Sequence, residues 1–451
     1  MQPPTKKSKL PVFHLSGLRG ISDSALSDIL ATLRDEGQLC ADGTSRRNLA
    51  RRVVREIQEF DTGYGPPIQK ITLPGKDDHE DIEWSCCHPP AVLNWLACKS
   101  EKFGKLLRDT QRKHPCSQLN PWKLVWYCDE STPGCLLSMD LTRKSVAIYW
   151  SFSEFGYEAL SKEACWMLGG ILRCRTLSKV DGKMSCVFAK HLRSFFDGPH
   201  GLATAGWTIR TSMENFVVFG RLDTTIADES ALRAIWSVKG SSGLKPCMLC
   251  RNVVSNRANF DLRGVDSIVD TSCDDYSKLD LHDDDSLWEC ADRVSAPMRK
   301  RNKEELEKIL GVVASPNSIL MDRPMRLHAK PASTTMYDAV HVLFVNGVFH
   351  TEVTLFLAAC SSKIGLTYAQ LHTFLQSWKW PKHLGNHAQQ LFHARRERDN
   401  VFKAGASQCL SVYGILRDFV RRIIPQGALT KEKIFFGVVP NHRRVHENTG
   451  S

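Results

Sequence analysis

Apolar and polar positions follow different patterns along the 451 residues, and each pattern predicts a different region. From Ser22 to Gly37, the apolar residues Ala25, Leu26, Ile29, Leu30 and Leu33 recur at helical spacing between a polar cap candidate and a glycine stop. A second helix, TSRRNLARRVVREIQEF, exposes a basic face. The punctuation of DTGYGPP and TLPGKDD then leads into a third helix, HPPAVLNWLACKSEKFGKLLRDTQRK. Residues 1–120 read as a helical module, whose first two helices have the makings of a helix-turn-helix-like DNA reader.

From Lys123 the pattern changes. KLVWYCDE predicts a short strand ending in two acids, STPG a turn, and RKSVAIYWSF a second strand. A helix (YEALSKEACWML), a strand (GILRCRTL), a helix (MSCVFAKHLRSFF), a strand (ENFVVFGRL) and a helix (DESALRAIWSVKG) come next. That alternation predicts an α/β domain over 121–240. Residues 241–332 read as an insertion with a CxxC knuckle, the acidic run SCDDYSKLDLHDDDSLWEC and RKRNKEELEKIL. Residues 333–451 read as helical, opening on TTMYDAVHVLFVNGVFHTE. The apolar run there is nearly continuous, so length rather than period predicts a helix over about 335–360. Asp338 and His341, three residues apart, then share a face of its first turn. Burying an acid and an imidazole in so apolar a run demands compensation, which each can supply to the other.

Charge sharpens this division. Residues 291–451 hold 23 Lys+Arg against 12 Asp+Glu, whereas the residues before them hold 37 of each sign. A basic C-terminal third points to a polyanionic partner such as double-stranded DNA. The sixteen cysteines form no small-domain framework, which fits a reducing compartment. The start, MQPPTKKSKLP, lacks the apolar core of a signal peptide, and its KKSK cluster fits a nuclear address, with the cytoplasm as the alternative. No run of eighteen apolar residues is free of polar interruption, so no membrane partner is expected. No G-x-S-x-G elbow or Walker-type phosphate loop occurs, which leaves serine hydrolysis and ATP use without support.

Three features carry candidate chemistry. Asp129 ends one strand, and Asp228 follows another and opens a helix. Carboxylates at the ends of two strands in one sheet can converge on divalent cations that hold a phosphodiester. In GSSGLKPCMLCRN, Cys247 and Cys250 supply half of a tetrahedral zinc site. The other half could come from Cys273, His282 and Cys290 nearby, or from His383 and His387 in PKHLGNHAQQ.

The order of these motifs resembles the cut-and-paste DDE transposases with a C/D-x-x-H signature, the CACTA-like and Plavaka-like groups and their transposon-derived relatives. The resemblance rests on YCDESTPG, KSVAIYWSFSEFG, ADESALRAIWSVKGSSGLKPCMLC, YDAVHVLFVNGVFH and FKAGASQCLSVYG, about two thirds of the chain. It implies an RNase H-like mixed-sheet core with a helical insertion, Asp129 and Asp228 as the first two catalytic acids on Mg2+ or Mn2+, and DNA as substrate. It makes Asp338 and His341 a structural pair beside the catalytic sheet. By similarity to V(D)J-type recombinases it groups Cys247, Cys250, His383 and His387 on one structural Zn2+, although the histidine spacing departs by one residue from that pattern. Gln408 stands where the third acid is expected, with Glu397 and Glu352 as substitutes away from the family's position. An amide cannot replace a carboxylate as an anionic metal ligand, so an inactive, zinc-stabilised DNA-binding or protein-interaction descendant is the second expectation. A second copy of the chain is the other partner expected.

Overall fold

The computed structural model describes residues 59–131, 144–240, 243–258, 267–344, 347–378 and 404–424, together with Leu391, Phe402 and Leu429. The chain divides into two compact units, Met1–Met336 and Tyr337–Ser451. The helices expected between Ser22 and Glu59 lie almost wholly outside the described residues.

Among the described residues the first unit begins with an antiparallel hairpin of β1 (Ile68–Leu73) and β2 (Ile82–Cys87), which corrects the expectation that residues 1–120 are a helical module. The long helix expected next is two, α1 (Pro89–Lys99) and α2 (Glu101–Lys113). Ser100 breaks it: its backbone is extended (φ −113°, ψ 107°), and its hydroxyl accepts from the Phe103 amide at 3.3 Å, capping α2. The break separates an all-round buried helix, Pro89 through Ala97, from an amphipathic one.

Next come β3 (Trp122–Ser131), β4 (Ser145–Phe152), β5 (Met167–Arg173), α3 (Lys183–Phe196), β6 (Trp207–Arg210), β7 (Asn215–Val218), β8 (Gly220–Ala227) and α4 (Glu229–Ile235). Short pairs β9 (Val253–Val254) and β10 (Val269–Asp270), then α5 (Asp284–Ser295), α6 (Lys300–Leu310) and β11 (Thr335–Tyr337), follow. The central sheet has the order β11-β8-β3-β4-β5. Pairs β3/β4 and β4/β5 are antiparallel, whereas β8 lies parallel to β3. The fold is thus mixed α/β about a five-stranded mixed sheet.

Three expectations need correction. The stretch YEALSKEACWML is a one-turn helix at Tyr157–Leu160 and a 3-10 turn at Glu163–Cys165, and its last residues already belong to β5. Cys174 leaves the strand and starts a one-turn helix. ENFVVFGRL is not one strand: β7 pairs with β6, and after Phe219 the chain enters the central sheet as β8.

One sheet face is covered by α3, whose Val187, Phe188, His191, Leu192 and Phe195 are fully buried. Phe188 meets Trp126 edge-on at 4.7 Å, and Phe195 meets Trp150 at 5.1 Å. Trp126 donates its indole N–H to His191 Nδ1 at 3.0 Å. Two glycines in β5 allow this packing: a Cβ on Gly169 would lie 2.6 Å from His191, and one on Gly170 2.4 Å from Trp84.

The second unit is helical. Its helices are α7 (Ala339–Phe344), α8 (Val348–Ile364), α9 (Tyr368–Gln376) and α10 (Ala406–Arg422). They share a core that includes Phe349, Val353, Phe356, Leu371, Val412 and Phe419. The single helix expected over about 335–360 is instead a strand followed by α7 and α8, with Gly347 at the N-cap of α8. The stretch Ala339–Ile364 is long and apolar enough to cross a membrane by length and composition. Its buried side chains, among them Phe356, Leu357 and Cys360, contribute to this unit's core.

Candidate functional site

From β3 the chain turns to β4 and β5 on one side and later returns to β8 on the other, so the sheet switches direction between β3 and β8. Ligands of open α/β sheets bind beyond the carboxyl ends of strands at such a point. The parallel register pairs Trp126 with Thr225 and Tyr127 with Ile226. Two residues further on, Asp129 is level with Asp228. Asp228 has left the strand by hydrogen bonding, but its backbone is still extended (φ −66°, ψ 165°).

Both acids are half-buried. Asp129 Oδ1 accepts from the Glu130 amide at 2.7 Å. Asp228 caps α4: its Oδ1 accepts from the Ala231 amide at 2.6 Å and the Ser230 hydroxyl at 2.9 Å. Strand alternation puts Tyr127 on the same face as Asp129, and Tyr127 stacks on Tyr149 with centroids 6.3 Å apart. Burial pushes the Tyr149 phenol upward, with Glu163 and Asp129 adding to the shift.

Sequence reasoning left one neighbour without a role. Glu130, on the opposite face, forms an ion pair with Lys144. That bond raises the Lys144 ammonium above its ordinary value, and Asp228 contributes in the same direction. The Cys128 thiol is pushed up by burial first, then by Asp228, Asp129 and Glu130, so three carboxylates share its neighbourhood. The doubled acid at the end of KLVWYCDE was the available signal; Lys144 had none, because its partner is fixed by the β3/β4 pairing.

Half-exposed carboxylates on a rigid sheet are suitable hard-oxygen donors for Mg2+ or Mn2+, with water and phosphate oxygens completing the shell. Among the described residues, no three His, Cys, Asp or Glu side chains form a complete metal-holding group. Two of the third-acid candidates, Gln408 and Glu352, belong to the second unit. Gln408 lies in the first turn of α10, where its Oε1 accepts from the Gly405 amide at 2.8 Å. It is a helix-capping side chain of the second unit. Glu352 is a half-buried residue of α8 in the same unit. Glu397, His383 and His387 lie outside the described residues.

Asp338 Oδ2 is 2.9 Å from His341 Nδ1, while Asp338 Oδ1 accepts from the Val340 amide at 2.8 Å. The pair is only partly buried, with side-chain exposures of 18% and 36%. In the first unit, burial first and then the neighbouring Cys247 thiol push the Cys250 thiol up. Both thiols line a cavity of about 10 Å³ together with His282. Burial, assisted by Arg251 and Lys245, lowers His282 to about 4, so its ring is neutral at pH 7.

No protein-family model matches the chain, and no curated protein matches it.

Proposed function

We propose that this chain is a transposon-derived protein of the DDE type that acts on double-stranded DNA through Asp129 and Asp228. One observation carries the proposal: the parallel β3/β8 register, which brings two half-exposed acids level at the carboxyl ends of adjacent strands. An open mixed sheet in which β8 joins β3 in parallel also supports an RNase H-like core. Divalent metal bound there would supply Lewis-acid polarisation of a phosphodiester and of the attacking water. The chain's own part is to hold two carboxylates in one orientation. The Ala231 amide and Ser230 hydroxyl fix Asp228, and the Glu130 amide fixes Asp129. Hydrolysis frees a 3′-hydroxyl, which the same site would then direct at a second phosphodiester. Action on chromosomal DNA implies a nuclear location, in keeping with KKSK near the start.

The test is nicking of supercoiled plasmid by the full chain with Mn2+ as the sole divalent ion. Asp129→Asn, nearly isosteric, should abolish nicking, at least a hundredfold, and leave the thermal melt in place. Nicking unaffected by Asp129→Asn and Asp228→Asn would remove these residues from the chemistry.

A second reading, an inactive descendant that still binds DNA, has its own observation. Gln408 is engaged as a neutral cap, and Glu130 is engaged by Lys144, so neither stands as a free third acid. Under this reading the wild-type chain binds duplex DNA without nicking it, and Gln408→Glu restores metal-dependent nicking while keeping the cap bond.

A further inference from the structure

Among the described residues, the knuckle around Cys247 has a small apolar cluster. Its cluster consists of buried Cys250, Val253 and Val269, with Cys247, Cys273 and Leu279 packed against them. Half of these side chains are thiols. Burial on this scale offsets only a small part of the conformational entropy lost by the residues it orders. Segments this poor in apolar contact ordinarily depend on a cross-link or a metal.

The backbone nevertheless gathers three distant pieces of sequence here. The Arg251 amide donates to Asp280 O at 2.7 Å, and the His282 amide donates to Leu249 O at 2.8 Å, flanking the Cys250–Leu281 bridge. The Arg251–Asp280 ion pair, at 2.7 Å, pins the same crossing. Parallel pairing of Val253 with Val269 brings in the turn that carries Cys273, whose amide donates to Asp270 O at 3.1 Å. His282 lies at the mouth of α5, its Nδ1 2.9 Å from the Ser286 hydroxyl. That bond orients the ring and leaves Nε2 as the ligating nitrogen, the usual arrangement of a metal-bound imidazole.

We infer that Cys247, Cys250, Cys273 and His282 form a structural zinc site, with the second half of the CxxC site supplied locally rather than by His383 and His387. Three thiolates and one imidazole are a standard tetrahedral set. Cys273 packs with Cys247 and Cys250 in one cluster and His282 lines a cavity with the same two thiols, while no three of these donors stand at coordination distance. The ion does the drawing, pulling sulfur and nitrogen to about 2.3 and 2.0 Å from itself. Three thiolates on Zn2+ leave one net negative charge, which Lys245 and Arg251 face. Lys245 lines the same cavity and bonds to Arg251 O. Cys290, buried on α5, belongs neither to the cluster that holds Cys273 nor to that lining and serves as the internal control. The site stands whether or not Asp129 and Asp228 cut DNA.

The full chain, expressed with zinc and freed of loose metal, is the material for the test. Metal analysis should find about one zinc per chain. Alkylation by iodoacetamide, mapped residue by residue, should find Cys247, Cys250 and Cys273 shielded and released together by a chelator, with Cys290 unchanged. His282→Ala should lower zinc content about tenfold, and the double variant of His383→Ala with His387→Ala should keep it. The alkylation experiment uses the wild-type protein, so a misfolded His282 variant does not remove the test. Absence of stoichiometric zinc, Cys273 reactivity indifferent to the chelator, or zinc lost only in the His383/His387 variant would each overturn the assignment.

Discussion

His191 is fully buried between α3 and the sheet, with its Nδ1 accepting the Trp126 indole proton and its Nε2 without a partner. Desolvation alone lowers its pKa to about 3. The ordinary imidazole value near 6.5 applies in the unfolded chain. Below pH 6.5 the unfolded state therefore takes up a proton that the folded state refuses, and stability falls as the pH falls toward 3. Each unit of pH over that range costs about 1.4 kcal/mol for this one residue, so urea unfolding should lose about 2 kcal/mol between pH 6.5 and 5. A stability flat across that interval would contradict the neutral, buried assignment. Asp338 and His341 show the opposite arrangement. Their mutual contact was foreseeable from their spacing, but their exposure was not: the apolar run suggested deep burial, and the pair lies near the surface. The bond of Gln408 to the Gly405 amide was not legible, because it needed the helix start to be known.

At the scale of elements, strands β3 and β4 and helix α3 followed from their periodicity, because a long run with one dominant period leaves little choice. Failures fell where two short elements adjoin. Ser100 divides one apparently continuous helical pattern, and Met167 and Leu168 sit in β5 although helix spacing had claimed them. Local propensity cannot resolve such joints, since an edge pairing such as β4/β5 decides them. The Gly169–Gly170 pair was the overlooked signal. Gly169 lets β5 approach His191, so Gly169→Ala should cost about 1–3 kcal/mol through overpacking, measured as a drop in denaturation midpoint. A variant as stable as wild type would mean that His191 can move aside.

For the whole molecule, two compact units and a lopsided charge are the relevant facts. The basic excess lies in residues 291–451, which span the end of the first unit and all of the second. Duplex binding should therefore be dominated by phosphate contacts and fall steeply with salt. A footprint of about six phosphates loses about 10³-fold in affinity between roughly 50 and 200 mM salt. Affinity unchanged over that range would argue against an electrostatic DNA partner. By itself, the amino-acid sequence determined strands β3 and β4 and helices α3 and α4, the strand-end position of Asp129, the capping position of Asp228, and the CxxC knuckle. These depend on residues close together in the chain, whose period and turn chemistry are local. Only the tertiary structure decided that Asp129 lies level with Asp228, that Lys144 occupies Glu130, and that His282 and Cys273 gather at the knuckle. Those relations arise from strand register and long-range backbone pairing, in which a shift of one residue would turn every side chain to the other face.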